Sequence, residues 1–209
     1  MQFINRVLTT LFLLVLAASC TTYLPVQMTP PLSAINADGI NKKPVAIAYL
    51  LPSVSKRLSF NQTSSYHYGI LSHTLKLSPY RDSSPVFRKV LKNVFKEIVP
   101  VRSVSAAFDS SANIKYLISI SDFKTHTTDF KTAIGYVEHY GQSVNQFDIS
   151  FMCKIIDRNN SVVWKQKIAG YGTATDDEIV KGGANALAPT RALLSAFQTL
   201  QKKLDALEL

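Results

Sequence analysis

The chain has 209 residues, with 23 Lys and Arg against 14 Asp and Glu and a net charge of +9. That length suits a single domain able to bury a real core, and two cysteines, Cys20 and Cys153, allow at most one disulfide. The positive excess favours anionic partners in general, but it is spread along the chain, and its densest cluster, RKVLKNVFK, reads as a solvated helix face.

The first element is apolar. Residues 7–18 are apolar apart from Thr9 and Thr10, follow a short segment with one positive charge, and end in Ala17, Ala18, Ser19 and Cys20. A charged start, an apolar stretch of about a dozen residues and a small-residue cleavage site describe an export signal, whereas a spanning helix needs about 20 apolar residues. LAASC resembles the lipobox of bacterial lipoproteins, in which the thiol is acylated and the signal is then cut. That resemblance implies that residues 1–19 are removed and that Cys20 becomes a lipid-bearing N-terminus. Leu16 stands one place earlier than in the commonest form. On the same resemblance Thr21, in place of an Asp, implies an outer-membrane destination, and the body is expected to face the periplasm. With Cys20 carrying lipid, no intramolecular disulfide remains. Removal of 1–19 takes Arg6 and no acid, leaving 190 residues with a net charge of +8.

Residues 20–43, with Pro25, Pro30 and Pro31, read as a lipidated N-terminus and flexible tether, and the folded domain is expected over 44–209. PVAIAYLLP (44–52) is an apolar run suited to a strand buried on both faces. Residues 53–65 read as loop and 66–77 as weakly extended. In SSPVFRKVLKNVFKEI, Ser84 is placed to cap a helix and Pro85 to fill its first turn, with Phe87, Leu91, Val94 and Ile98 as the apolar stripe.

IKYLISISDF (114–123) alternates as a strand. Residues 124–146 read as a long hairpin connection or edge strand. FDISFMCKIID and SVVWKQKIAGYGTA form a strand pair around the turn residues Asp157, Arg158, Asn159 and Asn160. Their inward sets are Phe147, Ile149, Phe151, Cys153 and Ile155, and Val162, Trp164 and Ile168, which makes Cys153 a buried core thiol. Lys154, Lys165 and Lys167 face outward. Leu193, Phe197, Leu200, Leu204 and Leu207 mark a C-terminal helix, starting near Pro189. These elements predict an α+β two-layer sandwich, with a mostly antiparallel sheet of four or more strands and two amphipathic helices on one face.

LSPYRDSSPVFRKVLKNVF, the strand IKYLISISDF, the hairpin with its aromatic-glycine exit at Trp164 through Gly170, Tyr171 and Gly172, and the last helix together resemble the YajG group of outer-membrane lipoproteins. The layout is similar to other small α+β envelope lipoproteins, including auxiliary lipoproteins of ABC-type lipid transporters and LptE. The resemblance implies a non-catalytic protein and carries over no catalytic residue.

The residues themselves carry no recognised catalytic pattern. His67, His73, His126 and His139 show no metal-ligand spacing, and there is no nucleophile elbow or P-loop. Asp176, Asp177 and Glu178 read as helix-start or loop acids. Phe130, Tyr136, His139 and Tyr140 could anchor a protein partner or fold back over the sheet edge. Lys154, Lys165 and Lys167 could hold an anionic amphiphile such as lipopolysaccharide or phospholipid. No metal, no cofactor other than the lipid on Cys20 and no nucleic-acid partner are expected. Two functions stay open: an accessory or scaffold subunit of an envelope protein complex, or a binding module for an anionic amphiphile. An envelope hydrolase or other enzyme would need a catalytic set that these motifs do not supply.

Overall fold

A computed structural model describes residues 22–50, 58–66, 69–109, 113–130, 144–175 and 187–209. Cys20, Tyr136, His139, Tyr140 and the acids at 176–178 lie outside the described residues. The elements in chain order are β1 (Thr22–Val26), a 3-10 turn (Leu32–Ala34), β2 (Lys43–Leu50), β3 (Leu58–Tyr66), β4 (Gly69–Leu77) and α1 (Pro79–Val94). Then follow β5 (Phe95–Val101), α2 (Val104–Phe108), β6 (Tyr116–Phe130), β7 (Val144–Asp157), β8 (Val162–Thr175) and α3 (Leu187–Asp205).

The fold is α+β. Its main sheet has five strands in the order β5-β2-β6-β7-β8, and a second sheet has the order β1-β4-β3. The main sheet is mixed: β2 runs parallel to both β5 and β6, whereas β6, β7 and β8 form an antiparallel meander. The parallel half requires crossovers. α1 leads into β5, and α2 makes the crossover from β5 to β6. α1 and α3 cover one face, where Phe87, Leu91, Val94, Leu193, Phe197, Leu200 and Leu204 bury against the strands. A chain of rings runs through this core, with Phe151 set 4.9 Å from Phe123 and 5.0 Å from Phe197 between ring centroids. On the other face, at the β2 end, Ala48, Ala107, Ile114, Leu117 and Ile156 form a small separate cluster under α2.

The inward parity expected for β7 holds throughout: Phe147, Ile149, Phe151, Cys153 and Ile155 are all buried. On β8 Ile168 is buried and Trp164 packs against the core, but Val162 is half exposed. The reason is a register shift between Ile155 and Ile156, which moves Val162 opposite Ile156 and off the core face. The turn forms where expected. Asp157 Oδ1 accepts from the N–H groups of Asn159 and Ser161, and Asn160 takes a φ of 60°, a conformation Asn tolerates.

Three expectations are corrected. The first helix begins at Pro79, not at Ser84, so Pro79 fills its first turn and Pro85 lies inside it, exposed. It also stops at Val94, and Ile98 belongs to β5, because the backbone of Phe95 is already extended. Residues 58–65, read as loop, belong to β3, which pairs with β4 over nine residues. Their polar side chains hid the strand. Third, the segment expected as a free tether is docked. Met28 and Ile35 are each 1% exposed and belong to the main core.

The bonds that dock this strap come from buried polar side chains. Asp82, buried on α1, accepts from the Met28 N–H at 3.0 Å. Asn93 Nδ2 donates to the carbonyls of Ile35 and Asn36 and to Gln201 Oε1, and Gln201 Nε2 donates to Asn36 O at 2.6 Å. Lys43 Nζ donates to the carbonyls of Asp205 and Leu207 at the end of α3, satisfying groups that a helix terminus leaves free.

Candidate functional site

The candidate site is the face of β6–β8 that none of the described helices covers. Strand pairing sets it out in rows across three strands. Ser119, Lys154 and Lys165 stand side by side, then Ser121, Met152 and Lys167, then Lys124, Ser150 and Ala169, then His126, Asp148 and Tyr171. The last two rows, with Lys167, line a concavity of about 500 Å³.

Two local features of the sequence shape this surface. On β6, Asp122 and Phe123 together oppose a single residue of β7, and Asp122 adopts a φ of 54°. This β-bulge bends the strand and absorbs one residue of alternation. Phe123 therefore turns into the core while Lys124 and His126 turn out. On β8, Gly170 and Gly172 are buried beneath α3. A Cβ on Gly170 would overlap the backbone of Ala192 and Ala196, and one on Gly172 the backbone of Ala188 and Ala192. Glycine on the strand and alanine on the helix let the two backbones meet, and Tyr171 between the glycines must point the other way. It is 68% exposed. The aromatic-glycine exit seen in the sequence is thus a packing device on one face and a presented ring on the opposite face.

Electrostatically the open face is uneven. Lys154 stands directly opposite Lys165, a like-charge cross-strand pair that costs stability. Among the described residues the ion pair within salt-bridge distance is Arg81 with Asp82, and none involves Lys124, Lys154, Lys165 or Lys167. Asp148 is the carboxylate within the concavity, and Gln146 Nε2 donates to its Oδ1 at 3.1 Å.

The expected site residues divide accordingly. Lys154, Lys165 and Lys167 lie on one face, as their parity predicts. Lys124, His126 and Tyr171 join them, although sequence parity alone left Lys124 and His126 in a connection. Phe130 ends β6, and its supposed companions lie outside the described residues. Cys153 is fully buried, and desolvation pushes its thiol pKa well above the ordinary range, so it stays protonated and inert. Among the described residues no three His, Cys, Asp or Glu side chains are grouped to hold a metal ion.

No family model and no curated relative matches the chain. Solved structures are similar at low identity. A minor lipoprotein from Acinetobacter baumannii aligns at 8% identity and a TM-score of 0.47, covering 79% of this chain and 94% of that one. A chain described as a neuraminyllactose-binding hemagglutinin homolog from Helicobacter pylori aligns at 8% identity and 0.49, covering 87% and 90%. A chain described as a lipoprotein from Caulobacter crescentus aligns at 14% identity and 0.35, covering 61% and 80%.

Proposed function

We propose that this chain is a non-enzymatic bacterial lipoprotein, held by lipid on Cys20 at the periplasmic side of the outer membrane. There it serves as an accessory or scaffold subunit of an envelope assembly or transport system. The observation that carries this reading is the division of the sheet. One face is committed to the core, and half of the other presents Tyr171, Lys124, Lys165 and Lys167 to solvent beside the half-buried Lys154, which suits docking rather than catalysis. The lipobox at Cys20 supplies the address. Among the described residues no helix is long and apolar enough to cross a membrane, so on this reading the lipid is what holds the body at the bilayer.

The test is a crosslinking pull-down on a C-terminally tagged chain, run beside Cys20→Ser. One envelope protein should be recovered with the wild type and lost with the variant. Unchanged fractionation of Cys20→Ser would remove the anchor. Phe130, Tyr136, His139 and Tyr140 are assigned as partner contacts, and alanine at these positions should lower recovery without loss of fold.

A second reading, a binding module for an anionic amphiphile, is favoured by the pairing of Lys154 with Lys165 across the open face. Recovery of glycolipid without protein would select it.

A further inference from the structure

We propose that the concavity on the open sheet face binds the phosphate of an anionic lipid headgroup in the membrane that carries the anchor. The argument deepens the amphiphile reading and rests on lipidation of Cys20 for the choice of occupant.

The first observation is the arrangement of donors. Lys124 on β6 and Lys167 on β8 flank Ser150 and Met152 of the strand between them. Strands lie about 4.8 Å apart and alternate residues about 6.8 Å along a strand, so the two lysine Cα atoms are about 12 Å apart. Two flexible ammonium groups at that separation can converge on one phosphate over the Ser150 hydroxyl. Lys154 and Lys165 continue the positive surface in the row beyond Met152. Opposing lysines are unfavourable in the unliganded protein, and an anion bound over them reverses that term.

The second observation is what surrounds the lysines. Tyr171 and Ala169 give the concavity an apolar flank, and Tyr171 pairs a ring with a polar tip, as residues at a headgroup boundary do. Asp148 lies in the adjacent row of the same concavity and repels the phosphate, which biases it to the Lys124–Lys167 side.

The third observation selects the occupant. Met28 is fixed to the body by Asp82, eight residues from Cys20. At ~3.3 Å per residue the body is therefore held within about 26 Å of the lipid, a much shorter leash than a free segment to residue 43 would give. The leash enters the fold through β1, in the sheet whose strand β3 lies beside β6, and β6 supplies Lys124 and His126. The strand that supplies Lys124 and His126 is thus the one that the anchor-bearing sheet contacts.

The experiment uses the mature chain with Cys20→Ser, which keeps every described element, and vesicles of phosphatidylcholine with or without phosphatidylglycerol. Binding should require phosphatidylglycerol and weaken strongly with salt, because exposed charges are screened beyond about 10 Å at 0.1 M. Lys124→Ala and Lys167→Ala should each lower partitioning about fivefold, whereas Lys92→Ala, an equal charge change on exposed α1, should leave it unchanged. Circular dichroism on each variant reports folding. Equal binding to both vesicle types overturns the site, and so does an equal loss in Lys92→Ala, which would indicate generic charge. Binding of an acidic peptide through the same lysines, with no vesicle binding, assigns the face to protein and overturns the lipid. Since this chain carries no anchor, these failures are separate from a failure of Cys20→Ser to change fractionation in cells.

Discussion

The two faces of β7 and β8 are built from the same residues in alternation, yet they follow opposite rules. On the face under α1 and α3, a set of large apolar side chains is buried, and at Gly170 and Gly172 even a Cβ has no room. One residue away on the same strands, like charges stand opposite each other and a tyrosine is mostly exposed. The contrast shows that a strand can carry tight packing and an electrostatically unfavourable surface together, because alternation keeps the two sets of side chains apart.

The largest effect should come from breaking the packed face. Gly170→Val places atoms where the backbone of α3 already lies, and the expected cost is at least about 3 kcal/mol in urea or thermal unfolding. Its neighbour Tyr171→Ala, on the open face, should shift stability by less than about 0.5 kcal/mol. If the two variants melted alike, the division between the faces would be wrong.

Phe151→Ala removes the ring between Phe123 and Phe197. A loss of about 3–5 kcal/mol is expected by calorimetry, the usual range for a buried Phe. A smaller step follows at the strap. Asn93→Ala leaves the Ile35 carbonyl without the donor it has in the native protein and should cost about 1–3 kcal/mol. Limited proteolysis should then cut near residues 30–40 before the rest of the chain; unchanged cleavage would mean that the strap is held without Asn93.

The smallest effect has the opposite sign. Lys165→Glu turns the pair with Lys154 into an attractive one and should raise stability by roughly half a kcal/mol, while weakening binding to phosphatidylglycerol vesicles. A variant more stable and less able to bind would sharpen the contrast most directly. A destabilised one would show that Lys154 and Lys165 already have anionic company in the native protein.

Much of the packed face was legible in the sequence because burial leaves a period. The alternation from Phe147 to Ile155 and the helical spacing from Leu193 to Leu204 survive nearly unchanged. Legibility fails where polarity or a local irregularity interrupts the period. SFNQTSS on β3 looks like loop because hydrogen bonding between strands leaves no mark on composition. The strap looks like tether because its polar bonds use backbone groups: Asp82 accepts from a strap N–H, and Asn93 and Gln201 donate to strap carbonyls. Lys124 and His126 were missed as site residues because the bulge at Asp122 cannot be anticipated from alternation alone. Phe123 gave the one available hint, an apolar residue out of step with Ile118 and Ile120.

That bulge also separates two properties that ordinarily change together. Asp122 is the extra residue, exposed and in a left-handed conformation, and its carboxylate accepts from the neighbouring Ser121 hydroxyl. Deleting it would set Phe123 opposite Phe151 in plain alternation, with Ser121 and Lys124 still turned outward. The shortened chain would keep its full inventory of inward and outward side chains and lose only the bend in β6. Curvature here is encoded by one removable residue, so the depth of the surface can be altered without altering what lines it.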